Sequence, residues 1–343
     1  MKKIIYFAAI AALAFVGCAK NDGGVNPSKN QYTIIASIGD AHTRTSYTDL
    51  TADVNKGLKV EWEANEKISV IELDSYKRWT SVYEFSSTNE AGDVATFTAP
   101  NDFEFNPSSY YVAVYPSVTA TGYTGFDDMH YYAGIAMNVP SIALWGEAGD
   151  GLFRMSSSFL GGTNRIYQEE ANDASHLKNY DVMVSAVTFN ENTANINLTK
   201  LNAVIKWDLT LPNQAKGTQV YQAKLSSNAN VYYDATLDFS KIFEGNIGWS
   251  VGNTTSEYIM NLGDMTATSR ITVPDDGKLS VYMPVYGAIS GIDESQKFWK
   301  DTEYTITING DEGSYSATAT PNEDLLLEQG KVHIITATLT EVQ

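Results

Sequence analysis

Apolar and polar residues alternate with a period of two along most of this chain. In "YTIIASI", Tyr32, Ile34, Ala36 and Ile38 fall on one face and Thr33, Ile35 and Ser37 on the other, which predicts a strand with one face in a core. In "LKVEWEANEKISVI", Leu58, Val60 and Trp62 point one way and Lys59, Glu61 and Glu63 point to water. Ala64 to Lys67 then predicts a turn into a second strand. "ATFTAP", "YYVAVYP" and "DVMVSAVTF" continue the pattern, and Pro100 and Pro116 mark strand ends because proline cannot donate into a ladder.

A second group of strands starts near Asn195. In "LNAVIKWDLTL", Ala203, Ile205, Trp207, Leu209 and Leu211 predict the buried face, with Lys206, Asp208 and Thr210 outside. "DATLDFS" and "KLSVYMPVY" follow. "EYTITINGDEGSYSATATP" then predicts a hairpin in which Tyr304, Ile306 and Ile308 face Tyr315, Ala317 and Ala319 across "GDEG". "KVHIITATLTEV" is the final strand. No long amphipathic helix is expected, only one helical turn at Asp173 to Lys178. Strands at this spacing argue for an all-β chain of β-sandwiches, and 343 residues suggest two of them. A boundary is expected near residue 190, inside "NENTANIN", giving residues 31–190 and 191–343.

The first thirty residues follow a different pattern. Lys2 and Lys3 precede an apolar run from Ile4 to Val16, then Gly17 and Cys18. A basic start, a short apolar stretch and small residues before a cut read as a secretory signal over residues 1–17. The run is shorter than the roughly 20 residues of a comfortable bilayer crossing. The single cysteine, directly after Gly17, resembles that of a bacterial lipobox, with Phe15 standing where leucine is usual, and the resemblance implies acylation of Cys18 with signal cleavage between Gly17 and Cys18. Acyl chains anchor through about 0.8 kcal/mol per buried CH₂. Residues 18–30, rich in Gly, Asn, Pro and Ser, read as a flexible tether.

Composition narrows the function classes. A net charge of −18 argues against nucleic acid as a partner, since phosphates would repel the chain. One cysteine allows no disulfide framework and no cysteine metal cluster. His42, His130, His176 and His333 have no metal-ligand spacing, and His130 beside Asp127 and Asp128 reads as an exposed loop. "PDDGK" and "NGDEG" lack the spaced ligands of a calcium loop and read as turns. No nucleophile elbow or phosphate loop is present. Glu169 and Glu170 alone do not define a glycosidase pair. Thus no catalytic residue, metal or cofactor is expected, and the chain reads as a non-enzyme. Aromatics in "GFDDMHYYAG", including Tyr131, and in "NVYYDA" read either as sugar-stacking residues or as core tyrosines.

The ordered set of a lipobox at Cys18, a tether, one alternating strand, "TRTSYTD", "LKVEWEANEKISVI", "DVMVSAVTF" leading into "LTKLNAVIKWDLTL", and a terminal "GKVHIITATL" resembles the fimbrillin-like lipoproteins of anaerobic gut and oral bacteria, which supply type V pilus subunits. The resemblance spans nearly the whole chain. It implies two tandem β-sandwiches of Greek-key, transthyretin-like build, and export as an outer-membrane lipoprotein followed by residence at the cell surface or in a fimbrium. It also implies that an arginine-specific protease cuts in the loop after the first strand, here between Arg44 and Thr45. The first strand (Tyr32, Ile34, Ala36, Ile38) would leave with the lipid, and a strand of another pilus subunit would fill the groove. The matching donor lies around Ile334 to Leu339, with Ile335, Ala337 and Leu339 as its inserted face. The expected role is therefore a pilus stalk or tip subunit. The alternative is a lipid-anchored surface lipoprotein that binds a glycan or host ligand, or an untrimmed pilus anchor.

Overall fold

The chain is described here by a computed structural model. It covers residues 31–38, 62–76, 79–87, 92–121, 132–137, 143–147, 152–156, 167–180, 182–232, 234–238, 242–243, 249–251, 254–264, 269–287 and 297–342. The signal, the tether and the stretch around Arg44 lie outside the described residues.

The protein is all-β and is built from packed sheets. Strands β1 (Thr33–Ile38), β2 (Lys67–Leu73), β3 (Trp79–Ser87), β4 (Val94–Thr98) and β5 (Tyr110–Tyr115) open the fold. After β5 come β6 (Val118–Thr121), β7 (Tyr132–Met137), β8 (Ala143–Glu147), β9 (Leu152–Ser156) and β10 (Tyr167–Gln168). A 3-10 turn at Ser175–Tyr180 precedes β11 (Met183–Val187) and β12 (Thr193–Lys200). The turn expected at Asp173 to Lys178 is thus present, two residues further on. A closed barrel forms in the order β1-β12-β11-β5-β2-β3-β4.

The next strands are β13 (Asn202–Thr210), β14 (Gln219–Tyr232), β15 (Asp234–Asp238), β16 (Trp249–Val251), β17 (Thr254–Leu262), β18 (Ile271–Thr272) and β19 (Lys278–Tyr286). They are followed by β20 (Lys297–Phe298), β21 (Tyr304–Gly310), β22 (Ser314–Ala319), β23 (Leu325–Leu326), β24 (Val332–Thr338) and β25 (Thr340–Glu341). A three-stranded sheet, β19-β13-β24, and a seven-stranded sheet, β10-β17-β14-β21-β22-β25 with β18 on β14, contribute side chains to one buried cluster. β6 to β9 pair with β15 and β16 in a further sheet. Four strand pairings cross the division expected near residue 190. β12 hydrogen-bonds into the barrel with β1 and β11, β15 pairs with β9, and β17 pairs with β10.

The barrel interior holds Ile34, Ala36, Trp62, Phe85, Phe97 and Ile196 among its buried side chains. β2 and β5 are buried on both faces. Ile68 and Val70 point into the barrel, whereas Ile71, Leu73, Val112 and Val114 join the cluster that contains Ala203, Ile205 and Trp207 of β13. Burial on both faces gives β2 and β5 nearly continuous apolar runs in place of alternation. β13 follows its expected face, with Ala203, Ile205, Trp207, Leu209 and Leu211 all buried. The β21–β22 hairpin has the expected register, Tyr304 opposite Ala319, Ile306 opposite Ala317 and Ile308 opposite Tyr315. β4 and β5 stop just before Pro100 and Pro116.

Candidate functional site: the first strand and its seat

β1 is a closing strand of the barrel. It runs parallel to β12, with Thr33 to Ile38 opposite Thr193 to Leu198, and antiparallel to β4, with Thr33 to Ser37 opposite Thr98 to Val94. Ile34 sits between Phe97 and Ala194, and Ala36 between Ala95 and Ile196; all six are buried. The small Ala36 leaves room for the larger Ile196 beside it. Tyr32 and Ile38 are partly buried against the same core. The four positions that alternation assigns to the inner face therefore do face the barrel core.

Several groups hold the strand at its ends and middle. The Tyr32 ring lies 5.3 Å from Phe103, 5.5 Å from Phe105 and 5.2 Å from Phe189. Tyr111 joins this aromatic group, and its hydroxyl accepts a hydrogen bond from the Asn106 amide at 2.7 Å. Burial pushes the Tyr111 phenol up to about 12, so it stays protonated at neutral pH and can donate to Glu72, 3.5 Å away. Ser109 also donates to Glu72, at 2.6 Å. The Trp62 indole donates to the Ala36 carbonyl at 3.2 Å, deep in the core. On the outer face the Ser37 hydroxyl donates to the Ile196 carbonyl at 3.3 Å.

The seat is asymmetric. β4 meets β1 along its whole length but meets β3 only at Ser86–Thr98 and Ser87–Phe97. Loss of β1 would leave β4 held by that short ladder. It would also expose unpaired N–H and C=O groups on β4 and β12, together with the strip lined by Phe97, Ala95, Ala194 and Ile196. Such an edge accepts another extended strand. Trp62→Phe is expected to lower unfolding stability by about 1–2 kcal/mol, because it removes a buried donor. Urea denaturation measures the loss, and amide exchange in β1 should accelerate with it.

The proposed donor residues lie together at the other end of the chain. Ile335 and Ala337 pack against the C-terminal core and Leu339 is buried within it, its amide donating to the Thr210 carbonyl at 2.9 Å. β24 is an edge strand, parallel to β13 from Val332 opposite Val204 to Thr338 opposite Thr210. His333 is a residue of this strand. Gly17, Cys18, Arg44, Thr45, His42, His130 and Tyr131 lie outside the described residues. Of "NVYYDA", Asn230 to Tyr232 belong to β14 and Asp234 and Ala235 to β15. Among the described residues no group of three His, Cys, Asp or Glu side chains is placed to hold a metal ion, and no helix is long and apolar enough to cross a membrane.

Sequence reasoning missed Phe103 and Phe105, whose alternation in "DFEFNP" was the available signal. It also missed the Trp62 bond to Ala36, which no local pattern encodes.

No protein-family model matches the chain, and no curated protein matches it. Solved structures similar to it include a proposed cell adhesion protein from Bacteroides ovatus, at 11% identity and a TM-score of 0.47, covering 91% of this chain and 95% of that one. A proposed cell adhesion protein from Bacteroides uniformis gives 12% identity and a TM-score of 0.44, covering 92% and 98%. A fimbrial anchor protein from Porphyromonas gingivalis gives 10% identity and a TM-score of 0.32, covering 82% and 79%.

Proposed function

We propose that the chain is a structural subunit, stalk or tip, of a cell-surface pilus, exported as an outer-membrane lipoprotein and assembled by strand exchange after trimming. The observation that carries this reading is a repeated side-chain pattern. β1 inserts Ile34, Ala36 and Ile38 into the barrel, and the C-terminal strand presents Ile335, Ala337 and Leu339 on one face at the same spacing. A large, a small and a large aliphatic group recur in the same order. A strand that fits β1's seat in shape is therefore available in every copy of the chain.

β24 suits the role because it has one strand partner, β13, and sits at a sheet edge. Transfer trades that ladder for two ladders, with β4 and β12 of the neighbouring subunit. The Trp62 indole would then donate to the Ala337 carbonyl in place of Ala36. Each aliphatic side chain buried in the seat contributes roughly 1.5–3 kcal/mol. Head-to-tail contacts that do not close into a ring produce a filament. The lipid at Cys18 holds the chain at the membrane until an arginine-specific protease cuts after Arg44 and releases β1. The role requires neither a cofactor nor a catalytic residue.

The test is the mature N-terminus of the protein from cells, by intact mass and N-terminal sequencing. A chain beginning at Thr45 is expected. A chain beginning at acylated Cys18 would overturn trimming, keep β1 in its seat, and leave an anchored surface lipoprotein or pilus base.

A further inference from the structure

The outer edge of β19 has no strand beside it among the described residues, yet its backbone groups are bonded by side chains. In an antiparallel strand, alternate residues turn both N–H and C=O to the same side. Leu279, Val281, Met283 and Val285 alternate with Lys278, Ser280, Tyr282 and Pro284, all in register with β13. It is the second set that meets the segment 168–176. Asn172 Oδ1 accepts from the Ser280 amide at 2.5 Å, and its Nδ2 donates to the Lys278 carbonyl at 3.4 Å. Gln168 Oε1 accepts from the Tyr282 amide at 3.0 Å, and its Nε2 donates to the Ser280 carbonyl at 2.9 Å. His176 Nε2 is 2.9 Å from the Tyr282 carbonyl. Pro284 has no N–H, and its carbonyl accepts from the Tyr258 hydroxyl at 2.7 Å.

Two side-chain amides thus stand where two peptide groups of a neighbouring strand would stand. Their spacing of four residues lets one short segment cover the edge. Gln168 is itself fixed by β10, which pairs with β17 in the opposite sheet. Asn172 has a φ of 63°, the left-handed conformation that asparagine tolerates, and this turns its amide toward the edge. Ala174 and Leu177 then pack the 3-10 turn onto Val204 and Tyr282.

We infer that the segment 168–176 is an edge guard that keeps β19 from pairing with β19 of a second copy of this chain. Open edges invite pairing, and proteins block them. A second copy is the fitting occupant for two reasons. A strand antiparallel to its own copy is in register about a two-fold axis. The strand Lys278–Tyr286 also carries no acid of its own, in a chain of net charge −18, and the carboxylates beside it are engaged, Asp276 by the Lys278 amide at 2.9 Å and Asp208 by the Ser280 hydroxyl at 2.7 Å and by Lys206 at 3.1 Å. The guard directs association away from β19, independently of what happens at β1.

The experiment compares the full chain with Gln168→Ala/Asn172→Gly, glycine being chosen to keep the left-handed φ. Light scattering over a concentration series and amide exchange are read together. The expected result is a shift from monomer to dimer mass, at least about tenfold faster exchange at Ser280 and Tyr282 in the dilute variant, and loss of the dimer when a peptide of residues 278–286 is added. A variant that stays monomeric, a dimer that the peptide does not compete, or unchanged exchange at both amides would overturn the proposal. If the double variant does not fold, Asn172→Gly alone is judged by the same readouts, since Asn172 is exposed.

Discussion

Ile34→Ala is expected to destabilise the untrimmed chain by about 2–5 kcal/mol, the range for a buried large-to-small change. Ile34 is fully buried between Phe97 and Ala194, in a barrel whose interior is packed with aromatic rings. The cavity cannot collapse easily, because the neighbouring positions are fixed by ladders on both sides. Urea denaturation gives the loss directly. The same change has a second consequence under strand exchange. Assembled subunits no longer contain β1, so the finished filament should be as stable in Ile34→Ala as in the wild type. Trimmed Ile34→Ala chains should also release β1 and assemble faster. A filament weakened by this substitution would show that β1 remains in its seat. Ile335→Ala should behave in the opposite way at the joint between subunits, weakening the filament because its side chain enters the neighbour.

Alternation made some of this legible in advance. The inner face of β1, the buried face of β13 and the register of the β21–β22 hairpin all followed from period two, because each of these strands has one face toward a core and one toward a wetter surface. β2 and β5 were harder to read. Ile71, Leu73, Val112 and Val114 are buried on the face that a two-layer sandwich would leave exposed, so their runs do not alternate. The pairing of β1 with β12 was not legible at all. Thr33 and Thr193 are 160 residues apart, and nothing in either segment names the other.

The edge of β19 shows a further limit. A strand edge sealed by Gln168, Asn172 and His176 looks, in the sequence, like an ordinary polar loop with one histidine. The bonds depend on where β10 and the 3-10 turn are placed, and that placement comes from packing rather than from local pattern. His176 was visible as a residue but not as a buried one, and it is only 4% exposed.

That burial has a measurable consequence. Desolvation lowers the His176 pKa to about 4, against a raising contribution from its bond to the Tyr282 carbonyl and from Asp173. In the unfolded chain it titrates near 6.5. The unfolded state therefore binds more protons between these values, and stability rises with pH across the window. The contribution is complete above about pH 6.5 and is lost as the pH falls toward 4, amounting to about 3 kcal/mol in all. Burial lowers the His333 pKa as well, so it acts in the same direction. Glu84, held below the usual carboxylate range by Lys67, loses its contribution only at lower pH. The expected result is a urea midpoint that drops between pH 7 and pH 4.5 in the wild type and drops less in His176→Gln. Gln can still donate to the Tyr282 carbonyl but has no proton to gain. An unchanged slope in His176→Gln would mean that His176 is not the buried neutral group that stabilises the turn, and that the acid sensitivity arises elsewhere in the fold.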